Sequence, residues 1–165
     1  MQIELRLKSV QDFAIRAYDP NDDDIRSILM DVCRAIAAQS EFVVSGFGQE
    51  RWPVDVETDL PVFLKQLPSA LHAVQDGVTT EIDFYEQGIE RVIALEPADG
   101  KYLATCTSQT RWQPIPTVEE IPGEELEEML LTAREAFMRT LAAAAPELHS
   151  HPWVLQWLRG TTEQE

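Results

Sequence analysis

The stretch VTTEIDFYEQGIERVIALEPADGKYLATCT, Val78 to Thr107, decides how the whole chain is read. Val78, Thr80, Ile82 and Phe84 share one side of an alternating pattern, the period of a strand with one buried face. Glu86-Gln87-Gly88 supplies a turn. Ile89 to Leu95 is apolar on both sides, which predicts the inner strand. In Pro97-Ala98-Asp99-Gly100, proline pre-sets one dihedral and glycine accepts a positive one, so the chain is expected to reverse there into Tyr102 to Thr107. Three strands joined by two tight turns make an antiparallel meander.

Working outward toward the N-terminus, a helix opens near Thr58 or Asp59 with the stripe Leu60, Phe63, Leu64 and Leu67. Pro68 is expected to interrupt it, because proline removes a hydrogen bond and crowds the preceding turn. Trp52 to Val56 reads as an edge strand or extended loop, since Pro53 cannot donate to a ladder. Phe42-Val43-Val44 reads as a strand. Ile25, Ile28, Leu29, Val32, Cys33 and Ile36 recur at threes and fours, the stripe of a helix capped within Asp19-Pro20-Asn21-Asp22. Asp22-Asp23-Asp24 then sits where the helix dipole favours negative charge. Ile3, Leu5 and Leu7 alternate with charged residues, and Phe13, Ile15 and Ala17 resume the alternation, which predicts a hairpin, although Val10, Phe13, Ala14 and Ala17 would also lie along one helical face.

On the other side, Trp112-Gln113-Pro114-Ile115-Pro116 is a restrained extended connection, because residues before proline avoid the helical region. After Pro122-Gly123, Leu126, Met129, Leu130, Ala133, Phe137 and Leu141 form the longest amphipathic pattern, ending by Pro146. A last short helix carries Trp153, Val154, Trp157 and Leu158 and stops at Gly160; Thr161 to Glu165 reads as a frayed tail. The expected architecture is one α+β domain over residues 1–160: a mainly antiparallel sheet around the meander, helices packed on one face, and a long C-terminal amphipathic helix.

The 165 residues include 29 acidic and 13 basic ones, a formal charge of −16. Such a surface repels nucleic-acid backbones and anionic lipid, so neither is an expected partner; a basic protein is. Met1 to Leu5 has neither a basic lead nor an apolar run, and no segment approaches the roughly 20 apolar residues of a membrane span. A cytoplasmic protein is expected. Cys33 and Cys106, one in a helix and one in a strand, read as small core residues.

Chemical motifs are sparse. Gly46 and Gly48 are followed by Arg51 where a dinucleotide fingerprint needs glycine, and Ser45-Gly46 lacks the earlier glycine of a nucleophile elbow, so no cofactor is predicted. Asp55, Glu57 and Asp59 alternate and on a strand would face one way, able to collect a divalent cation for a metal-dependent hydrolase. A helix-capping role for Asp59 competes with that reading. Glu81, Asp83 and Glu90, on the polar side of the meander, are a second place for acid–base chemistry. His149 and His151 flank Ser150 without a third ligand nearby. Self-pairing through the terminal helix would instead make a structural subunit. The favoured set is Glu119, Glu120, Glu124, Glu125, Glu127 and Glu128 around the start of the long helix, with Trp112 and Trp153 as rigid anchors. Carboxylates steer a basic partner and aromatic rings hold it. That set predicts a non-enzymatic acidic binding protein, in one version an inhibitor or immunity-type protein that neutralises a cationic toxin.

Overall fold

The computed structural model describes residues 1–9 and 11–160, so the expected frayed tail, Thr161 to Glu165, lies outside the described residues. The chain runs β1 (Gln2–Leu7), α1 (Ile25–Ile36), β2 (Ser40–Ser45), α2 (Asp59–Gln75), β3 (Thr80–Phe84), β4 (Arg91–Ala98), β5 (Lys101–Ser108), β6 (Val118–Pro122), α3 (Gly123–Ala144), α4 (Pro146–His149) and α5 (Pro152–Leu158). The meander is present as β3, β4 and β5, all antiparallel, with β4 inside. Its second turn is tighter than the sequence predicts. Asp99 and Gly100 both have positive φ, 48° and 78°, the two-residue reversal that matches strand twist. Pro97 is therefore part of β4, opposite Tyr102. It is tolerated there because β3 reaches only as far as Leu95, leaving no neighbour for the missing N–H.

A fourth strand, β6, extends the sheet beyond β5, between the Trp112–Pro116 connection and the long helix, where the sequence predicts no strand. Ile121 is its one fully buried side chain, too little for a periodic signal. The order is β3-β4-β5-β6. Ile82, Phe84, Ile93, Leu95, Ala104, Cys106 and Ile121 point inward and are buried with the helices. The helices pack on this face of the sheet.

The hairpin expected at the N-terminus does not form. β1 pairs instead with β2, Ile3 opposite Val44. Residues 11–18 make an extended strap held by side chains rather than by a ladder: Arg16 reaches Asp23 at 2.6 Å and Asp31 at 2.7 Å, and Phe13, Ile15 and Tyr18 lie half-buried on the core. Asp24 caps α1 by accepting from the Arg26 amide at 2.7 Å, while Asp23 braces the strap.

Pro68 does not interrupt its helix. α2 is continuous through it, and the carbonyl of Leu64, which a residue with an N–H would have used, accepts the indole Nε1–H of Trp157 at 2.8 Å. The other end of α2 is also closed from outside, by the Tyr102 hydroxyl on the Val74 carbonyl at 3.2 Å. The long helix is α3, 22 residues, but it is not the last; α4 and α5 fold back so that Trp157 reaches α2. Among the described residues no helix is long and apolar enough to cross a membrane.

Candidate functional site: the open face of the four-stranded sheet

Alternation along each strand sends every second side chain away from the helices. On β3 these are Glu81 and Asp83; on β4, Val92, Ala94 and Glu96; on β5, Lys101, Leu103, Thr105 and Thr107; on β6, Val118 and Glu120. None of them is buried. The register sets them in rows across the sheet: Asp83, Val92, Thr107; Glu81, Ala94, Thr105, Val118; and Glu96, Leu103, Glu120. Carboxylates therefore occupy the rim and small or apolar groups the middle. A solvated sheet face is normally polar throughout. Here Val92, Ala94, Leu103 and Val118 meet water inside an acidic border, with Lys101 paired to Glu120 at 2.6 Å.

The acidic set expected from the sequence is divided by the fold. Glu119 has the opposite parity to Glu120 and turns inward, accepting from the Met1 ammonium and the Phe47 amide. Burial alone would raise its pKa, but these two bonds outweigh it and hold Glu119 below the usual carboxylate range. It ties strands and loop together and is not part of an outward surface. Glu127 is half-buried and accepts from Gln75 at 2.9 Å. Glu124, Glu125 and Glu128 are exposed on α3. Because the Gly123 amide bonds the Gly100 carbonyl at 3.0 Å, Glu124 and Glu125 stand at the corner of the sheet beside the β4–β5 turn.

The two tryptophans lie in separate contacts. Trp153 is half-buried edge-on to Tyr18 and His151, at 6.3 and 4.9 Å between centroids. Trp112 belongs to a cage around Arg91, which the sequence reading overlooked. The Arg91 guanidinium lies 3.5 Å from the Trp112 ring and 4.5 Å from Trp52, and Nη1 donates to Gln49 at 2.8 Å. It is 2% exposed, its Nε has no partner, and no carboxylate among the described residues pairs with it. Burial pushes its pKa down. Parity was the available signal, since Arg91 falls on the same side of β4 as Ile93 and Leu95. The cage joins the loop after β2 to the loop after β5, and the same loops meet again where the Ile115 amide bonds the Phe47 carbonyl at 3.0 Å.

The alternative sites come apart. Asp55 accepts from the amide and hydroxyl of Thr58, so it braces the helix start. Asp59 is buried in the first turn of α2, accepts the Asp55 amide at 2.8 Å through one oxygen, and has no partner for the other. Glu57 is exposed. Glu81 and Asp83 face Ala94 and Val92 rather than a second carboxylate, and Glu90 sits before β4 with φ 40°. His151 caps α5, its Nδ1 accepting from the Trp153 amide at 3.3 Å. Among the described residues no group of three or more His, Cys, Asp or Glu is placed to hold a metal ion. Cys33 and Cys106 are both buried free thiols, each with its pKa raised by burial, Cys106 to about 11.

Comparison with known protein families, characterised proteins and solved structures finds no match to this chain.

Proposed function

We propose that this is a non-enzymatic binding protein that takes a basic macromolecule on the open face of its four-stranded sheet. The observation that carries the reading is the uncovered face itself: apolar side chains at the centre, bordered by Glu81, Asp83, Glu96 and Glu120. Interfaces are commonly built this way, with an apolar middle that excludes water and a charged rim that sets partner and rate. The exposed carboxylates of α3 enlarge the field that would draw a cation toward this corner. One form of the proposal is a cytoplasmic inhibitor or immunity-type protein, whose acidic face covers the cationic site of a toxin.

The test is calorimetric titration with a deca-lysine peptide. Affinity is expected to fall steeply as salt rises. The variant E81K/D83K/E96K/E120K is expected to lose at least about tenfold, while the same charge change at the exposed Asp12, Asp22, Asp76 and Glu147 costs about threefold or less. Equal losses from both sets would mean that only net charge matters and that the sheet face has no special part.

A further inference from the structure

The open face has a spacing as well as a charge. Glu81 on β3 and Glu120 on β6 stand on opposite banks, three interstrand steps of about 4.8 Å apart across the sheet and one row of about 6.8 Å along it, a diagonal of about 16 Å. Ala94 and Leu103 lie between them on β4 and β5. An extended peptide points every second side chain the same way at intervals of about 6.7 Å, so its residues i and i+4 are about 13–14 Å apart. Among the spacings that keep both side chains on one face, i and i+4 comes nearest to the diagonal between the banks, and the flexible stems of two lysines span the remaining distance of about 2–3 Å, with an apolar residue at i+2 between them. On a helix, residues i and i+4 are only about 5–6 Å apart and would both fall on one bank.

The sheet edges are poorly available to such a segment, which leaves the face. On β3, the Gln66 side chain occupies both backbone groups of Asp83, accepting from the amide at 2.8 Å and donating to the carbonyl at 2.9 Å. β6 is five residues long, follows Pro116-Thr117 and ends on Pro122, and short strands and edge prolines are usual protection of an edge. Lys101 already shows how an ammonium sits on the far bank, at 2.6 Å from Glu120. Exposed pairs of this kind contribute little, so an incoming cation displaces it readily.

We propose that the basic partner docks through an extended segment laid across the strands, of the form basic–x–apolar–x–basic, with its cations on Glu81 and Glu120 and its apolar side chain on Ala94 and Leu103. This rests on the binding reading above and adds the occupant's spacing to it. The test uses the full chain and two peptides of identical composition: acetyl-Ser-Lys-Ser-Leu-Ser-Lys-Ser-amide, and the permuted acetyl-Ser-Ser-Lys-Lys-Ser-Ser-Leu-amide. Amide chemical shifts are followed at low salt. The ordered peptide is expected to bind at least about fivefold tighter, given the apolar contact and two bridged banks it alone makes together, and to move Ala94, Leu103 and Thr105. Equal affinities would overturn the spacing and leave the charge reading standing. Binding of neither peptide would overturn both.

Discussion

Arg91 is a cation placed where the chain provides rings instead of a carboxylate. Its guanidinium is flat and weakly hydrated, so it slides between Trp52 and Trp112 at a desolvation cost that a lysine ammonium would not survive. Arg91→Lys is expected to cost about 2 kcal/mol in urea unfolding, with a change in tryptophan emission, given the worth of two desolvated cation–π contacts. Asp59 is the converse case, a buried carboxyl with one oxygen unpartnered. Burial raises its pKa, and the charges of Asp55 and Glu86 add to the rise against the Asp55 amide bond. The folded state therefore holds the proton more tightly than the unfolded chain, and stability is lost as pH rises through that raised value. Asp59→Asn should keep the acceptor for the Asp55 amide and stabilise the protein at pH 7 by about 1 kcal/mol, or about 2–4 °C in Tm. The gain should shrink toward pH 4. Glu119 and Asp23 have the opposite sign: hydrogen bonds hold both below the usual carboxylate range, so their stabilisation is present above that range and is lost as pH falls through the lowered values. These single-residue roles were the least legible part of the sequence. Arg91 and Glu119 depend on partners far along the chain, and Asp59 on a burial that its local pattern does not show; only the parity of Arg91 was available as a hint.

At the scale of elements, periodicity was readable wherever one face is buried and misleading wherever tertiary contacts replaced a local rule. The meander, α1, α2 and α3 all follow their apolar spacing. Pro68 was read as a break because its local effect is real; what the sequence could not display is that Trp157, 89 positions later by subtraction, supplies the missing donor to Leu64. Trp157→Phe should cost about 1–3 kcal/mol, the penalty for leaving a buried carbonyl unpaired. In a Pro68→Ala background the alanine amide takes that carbonyl, so the same change should cost measurably less in a double-mutant cycle. The loop clasp is equally specific. Gly48 has φ 82°, and a side-chain carbon there would lie 1.9 Å from the Ile115 carbonyl oxygen. Gly48→Ala is expected to lose at least about 2 kcal/mol by thermal melting, since backbone strain and a clash act together. β6 escaped notice for a related reason: a five-residue edge strand with a single buried side chain carries no period to count.

Across the whole molecule, a charge of −16 works against compactness through self-repulsion. In the proposed function that charge is used on one surface, the face of the sheet that the helices leave uncovered. The acidity was evident from composition. Its placement was not, because the rim and the apolar middle of that face emerge only when the registers of four strands are laid side by side, and one of those strands was not foreseen. The measurement that bears most directly on the account is hydrogen–deuterium exchange of the full chain with and without deca-lysine at low salt. Protection concentrated on β3 to β6, and abolished by E81K/D83K/E96K/E120K, is the predicted result; protection spread over the acidic surface, or confined to α1 and the strap, would contradict it.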